Sequence, residues 1–175
     1  YVHVLPHEIH FAATDTFRLA EYRIGDGGEY TDSSFSFIMP ARIAREIIRV
    51  LEGREHATLS IGENQMVCEA GGVRVISRLI EGNFPEYGAI IPSQFTTSMF
   101  IKKNDLLAAM RASSVFSSKL QDVAVRVEGE EMQVSAANQD VGEYKNTLVC
   151  ATNGNNAAAS YNYRYFIDGY GFYHN

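Results

Sequence analysis

His7 and His10, in the run HEIH, have side chains that could hold a metal. The segment alternates as a strand, however, so the two rings point to opposite faces. The run also lacks the HExxH spacing that a helical zinc site needs. His3, His56 and His174 are scattered, with no partner in sequence, and no metal site is expected. Asp15, in ATDTFRLA, could act as an acid only with a second titratable group or a nucleophile held nearby, and the sequence nominates none. Its simpler role is at a strand-strand connection, where an Asp bonds the backbone two residues on. Ala70–Val73, AGGV, is a tight turn with no helix after it, which is not a phosphate loop. Cys68 and Cys150 lie far apart in apolar, strand-like runs, MVCEA and LVCAT. They read as buried free thiols in a reducing compartment. Nothing here argues for an enzyme, and no catalytic residue or cofactor is expected.

The elements that must position these residues come from a repeat. EIHFAATDTFRLAEYRI, QMVCEAGGVRVISRLI and EMQVSAANQDVGEYKNTLV share one shape: an alternating strand ending in Ala, a turn, and a second alternating strand. Ile9, Met66 and Met132 correspond, as do Phe11, Cys68 and Val134, and Ala13, Ala70 and Ala136. The second and third copies are each preceded by strand, helix and strand: FSFIM, ARIAREIIRVLEG and ATLSI, then SMFIK, NDLLAAMRASS and VAVRV. The unit is therefore β-α-β-β-β, seen twice in full after the tail of an earlier copy. A fourth copy begins at AAASYNYRYFIDGY, and Asn153-Gly154 reads as the hairpin turn that leads to it. A Pro- and Gly-bearing linker, Glu81 to Gln94, separates the two full units.

With 175 residues, 46% of them hydrophobic, the chain can build a real core. Its net charge of -6, from 15 Lys+Arg against 21 Asp+Glu, argues against a globally basic nucleic-acid binder. A local basic face on an acidic body remains compatible with it. No apolar run approaches the roughly 20 residues of a membrane span, and no signal peptide is visible. The chain starts at Tyr1 within a strand-like pattern and stops at DGYGFYHN, so it is expected to be a piece of a longer protein.

The first helix is two-sided. Val50, Ile43, Ile47, Leu51, Ala44 and Ile48 fill one arc, expected to pack on a sheet. Arg42, Arg45 and Arg49 fall on the other side with only Glu46 to neutralise them. That side is either a solvated face or one that contacts phosphates. Val115-Phe116, beside a helix end, is either core packing or a partner surface.

Three segments together resemble one family, the bacterial sliding clamps (the beta subunit of DNA polymerase III). ATDTFRLA resembles its ATD-x-x-R-L-A signature, and SRLIEGNFPEY resembles a segment at the end of its middle domain. YNYRYFIDG is similar to a third-domain segment, and all three occur in the family's order. The resemblance implies an α+β DNA-clamp fold of repeated β-α-β-β-β units, with antiparallel sheets outside and helices lining the inner face. Residues 1–92 would be the later part of the middle domain, with the linker at about 81–94. Residues 93–175 would be the first part of the third domain.

The resemblance also implies roles. Thr14, Thr16, Phe17, Arg18 and Leu19 would form one wall of an apolar pocket between those domains, joined by Pro85, Ile90, Asn162 and Tyr165. That pocket takes short peptides from the polymerase III catalytic subunit, the clamp loader and repair proteins. Arg42, Arg45, Arg49, Lys102 and Lys103 would face duplex DNA without regard to sequence. Val115 and Phe116 would meet a neighbouring subunit in a homodimeric ring. The implied protein is a cytoplasmic, non-catalytic processivity factor with no cofactor, metal or membrane. The competing reading is a stand-alone clamp-like interaction domain without a DNA role.

Overall fold

The computed structural model describes residues 1–25 and 28–171, so His174 lies outside the described residues. The chain forms two compact units, Tyr1–Ile90 and a second from Ile91 onward. The first contains β1 (Val2–Val4), β2 (Ile9–Thr14), β3 (Leu19–Ile24), β4 (Phe35–Phe37), α1 (Ala41–Leu51), β5 (Thr58–Ile61), β6 (Gln65–Ala70) and β7 (Val73–Arg78). A 3-10 turn, Tyr87–Ala89, follows them. The second contains β8 (Thr97–Phe100), α2 (Lys103–Ser114), β9 (Asp122–Glu128), β10 (Glu131–Asn138), β11 (Gly142–Val149), β12 (Ala151–Gly154), β13 (Ala157–Asn162) and α3 (Tyr163–Gly171). The architecture is α+β with antiparallel sheets throughout.

The same four-stranded sheet is built twice. In the first unit the order is β3-β2-β1-β4, and in the second β11-β10-β9-β13. In each, three consecutive strands of one repeat are completed by the first strand of the next repeat. The remaining sheet of the first unit, β5-β6-β7, has the three repeat strands alone among the described residues. Gly71 and Gly72, at φ 54° and 82°, make its two-residue hairpin turn, as the sequence predicts.

Register decides which side chains are inside. Residues directly opposite on antiparallel strands share a face. Met132, Val134 and Ala136 of β10 are buried against Val123, Val125 and Val127 of β9 and Leu106, Ala109 and Met110 of α2. Their counterparts Met66, Cys68 and Ala70 are also buried. In the first copy the phase is the same but the cover is not. Ile9 and Phe11 pair with Val4 and Val2, and Phe11 with Tyr22. Val2, Val4, Phe37 and Met66 form a buried cluster with Ile9 and Ile47 packed against it. Phe11, Tyr22, Ile24 and Phe35 on the same face remain exposed.

Three local expectations need correction. Ile48 is 61% exposed, because it sits at the trailing edge of the apolar arc of α1, beyond the strip packed on β6 and β7. Asn153-Gly154 is not a hairpin turn: both residues pair with β8, opposite Ser98 and Thr97. Gly154 is required there by close approach, since a Cβ would run into the Thr96 carbonyl at its φ of 113°. Lys103 does not precede the helix but is its first residue. Both cysteines are free and buried.

Candidate functional site

The β2–β3 ladder ends at the pair Thr14–Leu19, which leaves a four-residue connection, Asp15 to Arg18. Backbone groups beyond the last pair must find other partners. Asp15 supplies them. Its Oδ1 accepts from the amides of Phe17 (3.3 Å) and Arg18 (3.2 Å), and its Oδ2 accepts from Arg18 Nε (2.9 Å). The Asp15 amide donates to the Arg18 carbonyl at 3.3 Å, and Thr14 Oγ1 donates to the same oxygen at 2.9 Å. Thr16 takes the left-handed conformation, φ 78°, which only a well-held turn tolerates in a β-branched residue. Asp15 therefore shapes the turn, as its residue type predicts. Thr14 and Arg18 are part of the same scaffold, besides being exposed. The turn presents Phe17, 77% exposed, and Leu19, half-buried. The hydrogen bond from Arg18 holds the Asp15 carboxyl below its ordinary value of 3.8.

Leu19, Glu21 and Arg23 alternate onto one face of β3. Their opposite residues Thr14, Ala12 and His10 lie on the same face, where Ala12 is buried. The connecting segment is held on this face. Tyr87 Oη donates to Glu21 Oε1 at 2.8 Å, and Phe84 stacks on Tyr1 with centroids 4.7 Å apart. Pro85 and Ile90 flank the 3-10 turn, both exposed. Arg23 grips Glu21 through Nε (3.0 Å) and Nη2 (3.1 Å), which lowers the Glu21 carboxyl and raises Arg23. Sequence reasoning does not find Glu21, Arg23, Phe84 and Tyr87. Strand alternation alone could have grouped Leu19, Glu21 and Arg23, but Tyr87 lies 66 residues from its partner.

The structure gathers Thr14, Thr16, Phe17, Arg18 and Leu19 in one turn. In the second unit, Asn162 and Tyr165 share the start of α3. Asn162 Oδ1 accepts from the Arg164 amide at 3.0 Å, so this side chain caps the helix. Tyr165 is 36% exposed.

Arg42, Arg45 and Arg49 are exposed on α1. Arg49 pairs with Glu46 at 3.1 Å, and among the described residues no ion pair involves Arg42 or Arg45. Lys102 is exposed and Lys103 half-buried at the start of α2. Val115 and Phe116 do not act as one exposed pair. Val115 is 64% exposed, whereas Phe116 packs against the second unit's core and stacks on Tyr144 at 6.0 Å. His7 meets the Gly28 carbonyl and His10 meets Glu8, and no metal-holding cluster occurs among the described residues. No helix among them is long and apolar enough to cross a membrane.

Two units built from one repeated β-α-β-β-β motif define a protein of the DNA-clamp fold class. The structure superposes on the DNA polymerase sliding clamp of Pseudomonas aeruginosa, crystallised with a ligand, with a TM-score of 0.89 and 20% identity. That alignment covers 97% of this chain and 47% of that one. Another structure of the P. aeruginosa clamp, bound to griselimycin, gives a TM-score of 0.87 at 20% identity over 97% of this chain and 46% of that one. The chain belongs to the DNA polymerase III beta subunit family: the central-domain model matches residues 1–86 and the C-terminal-domain model residues 88–175. It is 27% identical to the beta sliding clamp of Synechocystis sp. over 92% of this chain and 45% of the relative. It is also 27% identical to that of Synechococcus elongatus, over 97% of this chain and 47% of the relative. The chain thus spans about half the length of the curated relatives it matches.

The turn makes a testable statement about pH. A carboxyl held below its unfolded value stabilises the fold above that value and loses the contribution as pH falls through the folded one. Asp15 is therefore expected to titrate below 3.8 in a carbon-detected NMR titration, and Arg18→Ala to move it back up. A midpoint at or above 3.8 in the unaltered chain contradicts the turn as described.

Proposed function

We propose that this chain works as part of a sliding clamp, a non-catalytic processivity factor that holds a polymerase on duplex DNA in the cytoplasm. Residues 1 to about 92 act as part of the central domain, and those from about 93 as part of the C-terminal domain. The observation that carries the reading is the turn Asp15–Arg18. It spends Asp15, Thr14 and the Arg18 side chain on its own scaffold and leaves Phe17 outside. A rigid turn that shows an aromatic ring beside an apolar neighbour is what a short peptide anchor needs. Thr14, Thr16, Phe17, Arg18, Leu19, Pro85 and Ile90 in the first unit, and Asn162 and Tyr165 in the second, form the peptide-docking residues. The partners are the polymerase III catalytic subunit, the clamp loader and other proteins with the same short motif. The P. aeruginosa clamp named for its griselimycin complex supports a ligand-binding role in this family.

Arg42, Arg45, Arg49, Lys102 and Lys103 face DNA phosphates, and the exposed arginines of α1 support this. Phosphate contacts alone carry no sequence information, which suits a protein that slides. Val115 takes part in the contact between subunits of a homodimeric ring, with Phe116 supporting it from the core.

The docking assignment is tested by fluorescence titration of a labelled clamp-binding peptide from a polymerase III catalytic subunit. Binding is expected, and Arg18→Ala, which removes a bond that holds the turn, or Tyr165→Ala, which removes a part-exposed ring, each weakens it by about tenfold. Equal affinity for the unaltered chain and both variants would sink it. DNA binding is expected to fall steeply with salt. Replacing Arg42, Arg45 and Arg49 by Ala would flatten the log-log slope by up to about 2.7, at about 0.9 per phosphate contact. Salt-independent binding, or an unchanged slope, counts against the phosphate-facing role.

A further inference from the structure

Pro85 and Ile90, both expected at the docking surface, are each bonded to the backbone of Tyr87. The Tyr87 amide donates to the Pro85 carbonyl at 2.7 Å, and the Ile90 amide donates to the Tyr87 carbonyl at 3.0 Å. The Ala89 amide donates to Glu86 at 3.1 Å and completes the 3-10 turn. One short turn has no amphipathic stripe to bury and cannot hold its own orientation. Its side chains must anchor it.

Tyr87 is half-buried, and its hydroxyl reaches Glu21 Oε1 at 2.8 Å. Its ring lies edge-on to Tyr1 (6.2 Å, 68°) and to Phe84 (5.9 Å, 74°), a favourable aromatic geometry. Glu21 is itself fixed by Arg23, which holds both carboxylate oxygens. A charged acceptor makes the phenol bond stronger than a neutral one would. Glu21 follows Leu19 by two residues on the same face of β3, a step of roughly 7 Å along the strand. The carboxylate that catches the connecting segment is thus next in line on this face after Leu19, the first strand residue beyond the Asp15 turn.

We propose that Tyr87 is a positioning residue for peptide docking. Its phenol, bonded to Glu21, clamps the Phe84–Ile90 segment to the face of β3 that begins at Leu19, and so presents Pro85 and Ile90 in a fixed orientation. The inference rests on the docking reading above and adds the interaction that pre-orders two of its residues. Pre-ordering raises affinity by removing the cost of arranging the segment when the peptide arrives.

The test uses the whole 175-residue chain with Tyr87→Phe, Glu21→Ala and Glu21→Gln. Tyr87→Phe keeps the ring stack and removes only the hydroxyl. Amide hydrogen exchange at Ala89 and Ile90 is expected to quicken about tenfold, as for a lost bond to a charged group, while β6 and β7 keep their protection. Affinity for the labelled polymerase peptide is expected to fall about tenfold in Tyr87→Phe and Glu21→Ala. Glu21→Gln, whose amide oxygen still accepts the phenol, stays within about threefold of the unaltered chain. Unchanged exchange in Tyr87→Phe overturns the clamp. Faster exchange with unchanged peptide affinity overturns its role in docking, as does a Glu21→Gln variant as weak as Glu21→Ala. An unaltered chain that takes no peptide while Tyr87→Phe still loosens the segment marks failure of the docking reading, and with it of the presenting role. The anchoring bond then stands on its own.

Discussion

In-register antiparallel pairing is the constraint on which the rest of the structure depends. Side chains alternate along each strand, so a slip of one residue would turn every core residue outward. In both units the register is secured the same way: three consecutive strands accept the first strand of the following repeat at their edge. β4 does this for β1, and β13 does it for β9. The loan also ties successive repeats together, because the lent strand leads directly into the helix of its own repeat.

The proposed docking surface is a by-product of where that pairing stops. At the Gly71-Gly72 hairpin the ladder closes in two residues, and nothing is left over to present. At Thr14–Leu19 it stops one pair earlier, and the four-residue connection has to satisfy its own polar groups. Asp15 does so with one carboxylate, accepting from two amides and one guanidinium. The outcome is a turn that is rigid without being buried. A flexible loop with the same residues would have to be ordered by each partner that it met.

Much of this is legible in the sequence. Period-two alternation and the final Ala of each copy identify the β-β core of the repeat, and the arc of α1 separates Ile47 from Arg45. Asp15 between two strands foretells its own bonds, since an Asx turn is local. What fails is what depends on cover or on distant partners. Phe11 has the same phase as Cys68 and Val134, yet it stays exposed, because alternation says which face a residue takes and not what lies over that face. Ile48 fails likewise at the edge of its arc. Asn153-Gly154 has the composition of a turn, but the open edge of β8 draws both residues into a ladder. Tyr87 and Glu21 meet across 66 residues, which no local pattern anticipates. Of the expected site, the turn was readable from residue types, while its use as a docking wall came from the resemblance of ATDTFRLA, SRLIEGNFPEY and YNYRYFIDG to one family.

The central claim is that this turn is the place where partners dock. It is tested most directly by recording amide chemical shifts of the isotope-labelled chain as the polymerase peptide is added. The largest shifts are expected at Thr16, Phe17, Arg18 and Leu19, with smaller ones at Tyr87 and Ile90. Shifts confined to the outer face of β9 and β10, around Arg126 and Gln133, with the turn amides unmoved, would contradict the account.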